Sequence, residues 1–397
     1  MFNRILGSTL FIIGISVGGS ILALPIVTNG IELKIITLIS ISICFIMMIS
    51  AFWIMELNLS ISGNSNLITM AQSTLGKSGA IIMGILYMLL LYFLLSLYLE
   101  GGGELIKSLL YQLLGYKLNN YMSTILFITI FSFVFYNGIK IVDWSNRFLM
   151  AIKLSSFFLL LIMLIPYESI KNINSIIYHV NSLNFIMPII SAFGFSIIIP
   201  SISIYLKKKR KKILLVIILG SIIPLILYLI WIYSIRSTLD SIELYSISQS
   251  KNIIFYLSNS LCKNLNSIYI QFLIHIFMSI CITTSFLGVS LSMLDFILDI
   301  FPKKKIKQYK KIFHFLSINI VFIPPTIIVM LYPGLFIPIL QYIGILCIII
   351  LIIFPALMNI SAIYIKKIIL YPPFYCNGFF IIFIFIFAIF ALVLSLH

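Results

Sequence analysis

Lys153 stands inside a strongly apolar run, "RFLMAIKLSSFFLLL", Arg147 to Leu161. An amine in such a run either exchanges a proton within a membrane or snorkels its charge to the headgroups. The residues alone leave both readings open. Two further stretches carry small and hydroxyl residues where apolar ones are expected. One is "GISVGGSILALP", Gly14 to Pro25. The other is "SAFGFS", Ser191 to Ser196, with Pro188 before it and Pro200 after it. Most of these residues are poor helix formers. In lipid a broken helix leaves peptide groups without partners, so a break needs a use. A break exposes N–H groups that suit a carboxylate and carbonyls that suit an ammonium or a metal cation. The plain alternative is close helix–helix packing, which also selects small residues. Two such stretches at matching places in the chain favour ligand binding. The candidate ligand residues are Gly14, Ser16, Gly18, Gly19 and Ser20 in the first stretch, and Ala192, Phe193, Gly194, Phe195 and Ser196 in the second. Phe193 and Phe195 flank Gly194, where they could stack on or gate a ring-bearing ligand.

Other ionisable residues in apolar surroundings are weaker candidates. Glu100 and Glu104 flank "GGG" one turn apart, so they share a helix face if the helix continues. They read as exposed carboxylates at the outer mouth, with a proton relay as the alternative. Glu56 reads as interfacial, and Asp295 and Asp299 as pairing with Lys303 to Lys305. His275 reads as a buried neutral histidine bonded to a neighbour, ahead of a proton carrier. Tyr92 and Tyr98 are weaker aromatic candidates. The chain carries no Walker loop, no metal-spaced His/Cys/Asp set and no nucleophile elbow. The expectation is a protein that is not an enzyme, with no cofactor and no bound metal, and driven by an ion gradient.

The elements that hold these residues must be membrane helices. Of 397 residues, 62% are hydrophobic and only 9% charged, with a mean hydropathy of +1.20. Soluble domains carry about 25% charged residues, so the chain reads as an all-α polytopic membrane protein. About 20 residues span the hydrocarbon core, which predicts eleven spans: 5–27, 33–57, 79–99, 121–138, 148–166, 185–205, 213–235, 268–293, 312–332, 335–357 and 377–396, with the third open to running on past Glu100 and the tenth toward Tyr364. With a cytoplasmic N-terminus, 19 of the 26 basic residues fall on the cytoplasmic side and 7 outside. This matches the positive-inside rule and puts the C-terminus outside. The net charge of +16 thus reads as topology, with no nucleic-acid partner. The run "KKKRKK", Lys207 to Lys212, is a topological anchor. The five cysteines lack metal or paired spacing and read as packing residues. No small-residue cleavage site follows the first span, so a cleaved signal peptide is not expected. The polar outer loop 236–267 has room for a short helix. The two interrupted stretches sit in spans one and six. Five-span units over 1–166 and 185–357 would then be inverted repeats whose breaks meet near the midplane, with 377–396 an extra helix.

Several stretches resemble one family. "GSTLFIIGISVGGSILALP" (Gly7 to Pro25) resembles the first helix of the bacterial aromatic amino acid permeases, the tyrosine and tryptophan transporters of the hydroxy/aromatic amino acid permease family. "SAFGFSIIIPSI" (Ser191 to Ile202) is similar to their sixth helix. "TTSFLGVSLSMLDFILD" (Thr283 to Asp299) is similar to their eighth helix and the loop behind it, and "IPPTIIVMLYPGLFIPILQYIG" (Ile323 to Gly344) to their ninth-to-tenth hairpin. The chain departs from the family pattern at Ile15, Ser20, Ser196 and Ile197. The resemblance implies a leucine-transporter-type fold and proton-driven import of an aromatic amino acid across a bacterial inner membrane. The alternatives are another neutral amino acid (serine, threonine or a branched-chain one), sodium coupling, and a receptor of the same fold that binds an amino acid without moving it. The resemblance also implies that the Lys153 amine fills the place sodium takes in sodium-driven relatives, between helices one, five and eight. Thr283, Thr284 and Ser285 would line that place.

Overall fold

The computed structural model describes residues 2–61, 65–115, 118–136, 139–167, 185–265, 268–300, 310–368, 373 and 376–395, and among them no strand forms. The helices are α1 (Phe2–Ser16), α2 (Gly19–Val27), α3 (Leu33–Ser60), α4 (Leu67–Leu114), α5 (Asn120–Tyr136), α6 (Ile139–Leu164), α7 (Ile186–Ala192) and α8 (Ile199–Tyr205). They continue with α9 (Arg210–Thr238), α10 (Ser241–Ser248), α11 (Ile253–Leu265), α12 (Ile268–Ile300), α13 (Lys310–Leu331), α14 (Phe336–Ile348), α15 (Phe354–Ile360) and α16 (Gly378–Ser395). Seven described helical segments are long and apolar enough to cross a membrane. The pair α1 and α2, bent by 50°, makes an eighth, and three shorter apolar helices cover 120–132, 316–331 and 378–393. The chain is a multi-pass membrane protein.

Local chemistry sets the boundaries. Asn66 caps α4 by a reciprocal pair, its Oδ1 accepting from Thr69 N and its own N donating to Thr69 Oγ1, both at 2.8 Å. Gly76, at φ +82°, kinks α4 near its start. Lys208 clips the α8–α9 turn to the end of α3, its Nζ donating to Asn58 O and Ile61 O at 3.3 and 3.0 Å.

Two spans run on where the sequence left their ends open, and three expectations change. The third span, expected at 79–99, belongs to a helix running from Leu67 to Leu114, because "GGG" at 101–103 packs against α5 and α12 without breaking it. The helix around Lys153 starts at Ile139, so the lysine lies about four turns in, where one was expected. The tenth span continues to Ile365 through two π turns. Loop 236–267 holds two short helices, α10 and α11. Glu56 is buried and accepts from Arg210 Nε at 2.7 Å, because α3 runs on to Ser60 and the α8–α9 turn covers it. The pairing expected of Asp299 with Lys303 to Lys305 lies outside the described residues. Asp295 is exposed. All five cysteines are buried and unbridged.

The closest backbone approach near the second break is at Gly344 of α14. A Cβ there would press on the carbonyl of Met187 in α7. Backbone cannot rotate aside as a side chain can. Gly344→Ala is therefore expected to destabilise the protein by about 1–3 kcal/mol, read as a lower midpoint of thermal unfolding in detergent. An unchanged midpoint would show that α7 shifts at no cost.

Candidate functional site

The first break follows from three residues. Helix α1 ends at Ser16, Gly18 is extended at φ −111° and ψ −153°, and α2 starts at Gly19 with no side-chain cap. The second break is a single turn of 3-10 helix, Gly194–Ile198, between α7 and α8. The two breaks pack against each other in crossed fashion. α1 touches the 3-10 turn, and α2 touches α7.

A broken helix loses donors, and the structure shows what replaces them. In a continuous helix Gly18 N would donate to Gly14 O. Here it donates to Ser16 O at 2.8 Å, which orphans the Gly14 carbonyl. Lys153 Nζ fills that vacancy at 2.7 Å and also donates to Thr284 Oγ1 of α12 at 2.9 Å. The lysine is fully buried. It joins α1, α6 and α12 at the break, and it does not snorkel. Thr284 passes the contact on by donating to Ile280 O at 2.8 Å. Ser285, on the same helix, packs against Gly18 so closely that a Cβ there would meet its Oγ at 2.5 Å. Thr283 is half-buried on this turn.

Tyr228 of α9 links the two breaks. Its hydroxyl lies 2.7 Å from Ser16 O and 2.8 Å from Ala192 O, and its ring meets Phe193 edge-on at 5.2 Å. Both carbonyls belong to the last residue of a half-helix, α1 and α7. These are groups that a helix end leaves without an intrahelical partner. Sequence reasoning missed Tyr228. One tyrosine among 21, set in an Ile/Leu run, carries no local signal.

The remaining candidates divide. Ser16 Oγ is buried with no partner among the described residues. Gly19 packs on the ring of Tyr98, with an added Cβ 2.8 Å from it, and Gly194 on Cys347. Ser20, Phe193, Phe195 and Ser196 are buried. Ser196 Oγ is 3.5 Å from Met47 O. Tyr92 stands apart, donating to Ile320 O of α13 at 2.9 Å. His275 is also apart, about two and a half turns from Thr284 along α12. Its Nε2 lies 3.8 Å from Cys262 Sγ of α11. Glu100 and Glu104 are buried, at 6% and 4% exposure. They are not the exposed pair the sequence suggested, because α11 and the turn before α14 cover them.

A solved structure shares this fold. Mhp1, a nucleobase-cation-symport-1 family transporter solved in a closed conformation with bromovinylhydantoin bound, superposes with a TM-score of 0.61 at 12% identity. The match covers 98% of this chain and 91% of that one, so the chain has the leucine-transporter-like fold. Tyrosine-specific transport system 1 of Haemophilus influenzae is 29% identical over 86% of this chain and 84% of its own length. Glutamine transporter 2 of Aliivibrio fischeri is 29% identical over 90% and 89%. Residues 1–395 match the model of the tryptophan/tyrosine permease family, and with relatives aligned along most of its length the chain belongs to that family of transporters.

Proposed function

We propose that this permease carries an aromatic amino acid, tyrosine or tryptophan, inward across a bacterial cytoplasmic membrane by proton symport and alternating access. The observation that carries the proposal is the meeting of the two breaks around Tyr228, with Ser16 Oγ unpartnered beside them. The uncapped N-terminus of α2 offers N–H groups to a substrate carboxylate. The carbonyls of Ser16 and Ala192 suit its ammonium. Phe193 and Phe195 supply ring faces. Lys153 is the ion-coupling residue, with Thr284 and Ser285 around it. Eleven spans, built as two inverted five-helix repeats with an added C-terminal helix, put the N-terminus in the cytoplasm and the C-terminus outside. The distribution of basic residues supports that orientation.

A second reading, a polar neutral amino acid as cargo, draws support from the relative named a glutamine transporter. Proteoliposomes holding the purified protein decide between them. Saturable uptake of labelled tyrosine or tryptophan is expected, rising with an inward proton gradient in the absence of sodium. Uptake of glutamine with neither aromatic substrate would overturn the aromatic reading. Dependence on sodium alone would overturn the proton.

A further inference from the structure

We propose that Glu100 and Glu104 form a separate site for one monovalent cation, which fastens α11 and the turn before α14 onto α4. The two carboxylates lie one turn apart on α4 and are both more than nine-tenths buried. Each has one oxygen engaged by backbone. Glu100 Oε1 accepts from Gly334 N at 2.6 Å. Glu104 Oε2 accepts from Ile254 N at 2.7 Å and Phe255 N at 3.1 Å, in the first turn of α11. The other two oxygens, Glu100 Oε2 and Glu104 Oε1, are buried without a partner among the described residues.

Both carboxylates line one cavity of about 20 Å³, together with Asn120, Ser123, Thr124 and Asn252. A water needs about 10–15 Å³, so the space admits one small occupant. No described basic side chain pairs with either carboxylate. Lys107, also on α4, donates to Asn120 Oδ1 at 2.7 Å and lies over the Phe255 ring. Lys251 packs its stem on Gly334, and Tyr121 of α5 completes the titratable groups around the cavity. Two buried carboxylates one turn apart, held by backbone donors and, at Glu104, by the Lys107 charge acting without a direct hydrogen bond, still leave two buried oxygens that call for a positive partner. The partner chemistry is a single hard cation facing oxygen ligands. A proton bridging the two free oxygens satisfies it. So does a sodium ion held by them and the neighbouring amide and hydroxyl oxygens. Occupancy sets the charge that the first turn of α11 and the 334 turn are docked against, so it sets how firmly they stay docked. The site does not rest on the substrate assignment or on Lys153.

The test uses the full-length protein without amino acid. One arm records infrared difference spectra over a pH titration, seeking the C=O stretch of a protonated carboxyl near neutral pH. The other compares thermal unfolding in sodium chloride and choline chloride at equal ionic strength. A carboxyl band lost in both Glu100→Gln and Glu104→Gln identifies a proton. Sodium stabilisation whose half-saturation rises at least about tenfold in both variants identifies sodium, since each removes a charged ligand. Neither signal in the wild type, or either signal surviving unchanged in both variants, overturns the site. Glu104→Asp, which keeps the charge and retracts the oxygen, serves where a glutamine variant does not fold. It is expected to shift the band or the sodium midpoint, and an unshifted signal counts against the proposal.

Discussion

Lys153→Met is expected to lower gradient-driven uptake at least about tenfold while leaving substrate exchange across the membrane within about twofold of wild type. Methionine keeps the unbranched stem, one atom shorter, and removes the donors. Two hydrogen bonds are lost, to Gly14 O and Thr284 Oγ1. Each is worth about 1 kcal/mol net, and the carbonyl left unpaired in a buried break adds about 1–3 kcal/mol. A tenfold effect needs only about 1.4 kcal/mol. The size alone does not separate a coupling residue from a structural one, because a merely structural lysine would also weaken the break. The split between two assays does. If the amine couples ion movement to the carrier, accumulation against a gradient fails while exchange, which needs no net ion movement, persists. If the amine only props up α1, both fall together. Parallel loss of uptake and exchange would assign Lys153 a supporting role.

The parts of this site differ in how well the sequence announced them. Glycine and serine in an apolar run are a composition anomaly, so both breaks were visible at 14–20 and 191–196. Lys153 was visible for the same reason, since a charge among leucines and phenylalanines stands out. What stays hidden in sequence is partnership across distance. The reason Lys153 is needed is that Gly18 N turns to Ser16 O and orphans Gly14 O, a consequence of backbone geometry with no residue signature. Tyr228 is hidden because a hydroxyl in a helix of isoleucines reads as an interfacial aromatic. Glu100 and Glu104 were seen and misplaced. Their burial depends on α11, which packs over α4 from about 150 positions away, and on the turn at Gly334. Span boundaries went astray where hydropathy and helicity part company, as at the Leu67 start of α4 and the Ile139 start of α6. A helix can continue into polar residues once neighbouring helices supply contacts.

Tyr228→Phe is expected to tighten binding of the transported amino acid by about tenfold and to lower the stability of the empty protein. The hydroxyl has one proton and two acceptors, Ser16 O and Ala192 O, at 2.7 and 2.8 Å. It serves one carbonyl well at any moment and the other poorly. Ser16 O keeps its bond from Gly18 N in the variant. The net cost to the empty state is therefore that of one buried hydrogen bond, about 0.5–1.5 kcal/mol. An amino acid placed at the breaks brings an ammonium with three donors. In the wild type it must displace the tyrosine proton to reach the same carbonyls. In the variant it meets acceptors already vacated, and the cost that destabilised the empty state returns as affinity, about 1.4 kcal/mol for a tenfold gain. Calorimetric titration with the amino acid and with its analogue lacking the amino group makes the test specific. The tightening is expected for the first and absent for the second. Equal tightening of both ligands would place the effect in general loosening of the breaks. Weaker binding of the amino acid would make Tyr228 a direct ligand of the substrate instead of its rival for the two carbonyls.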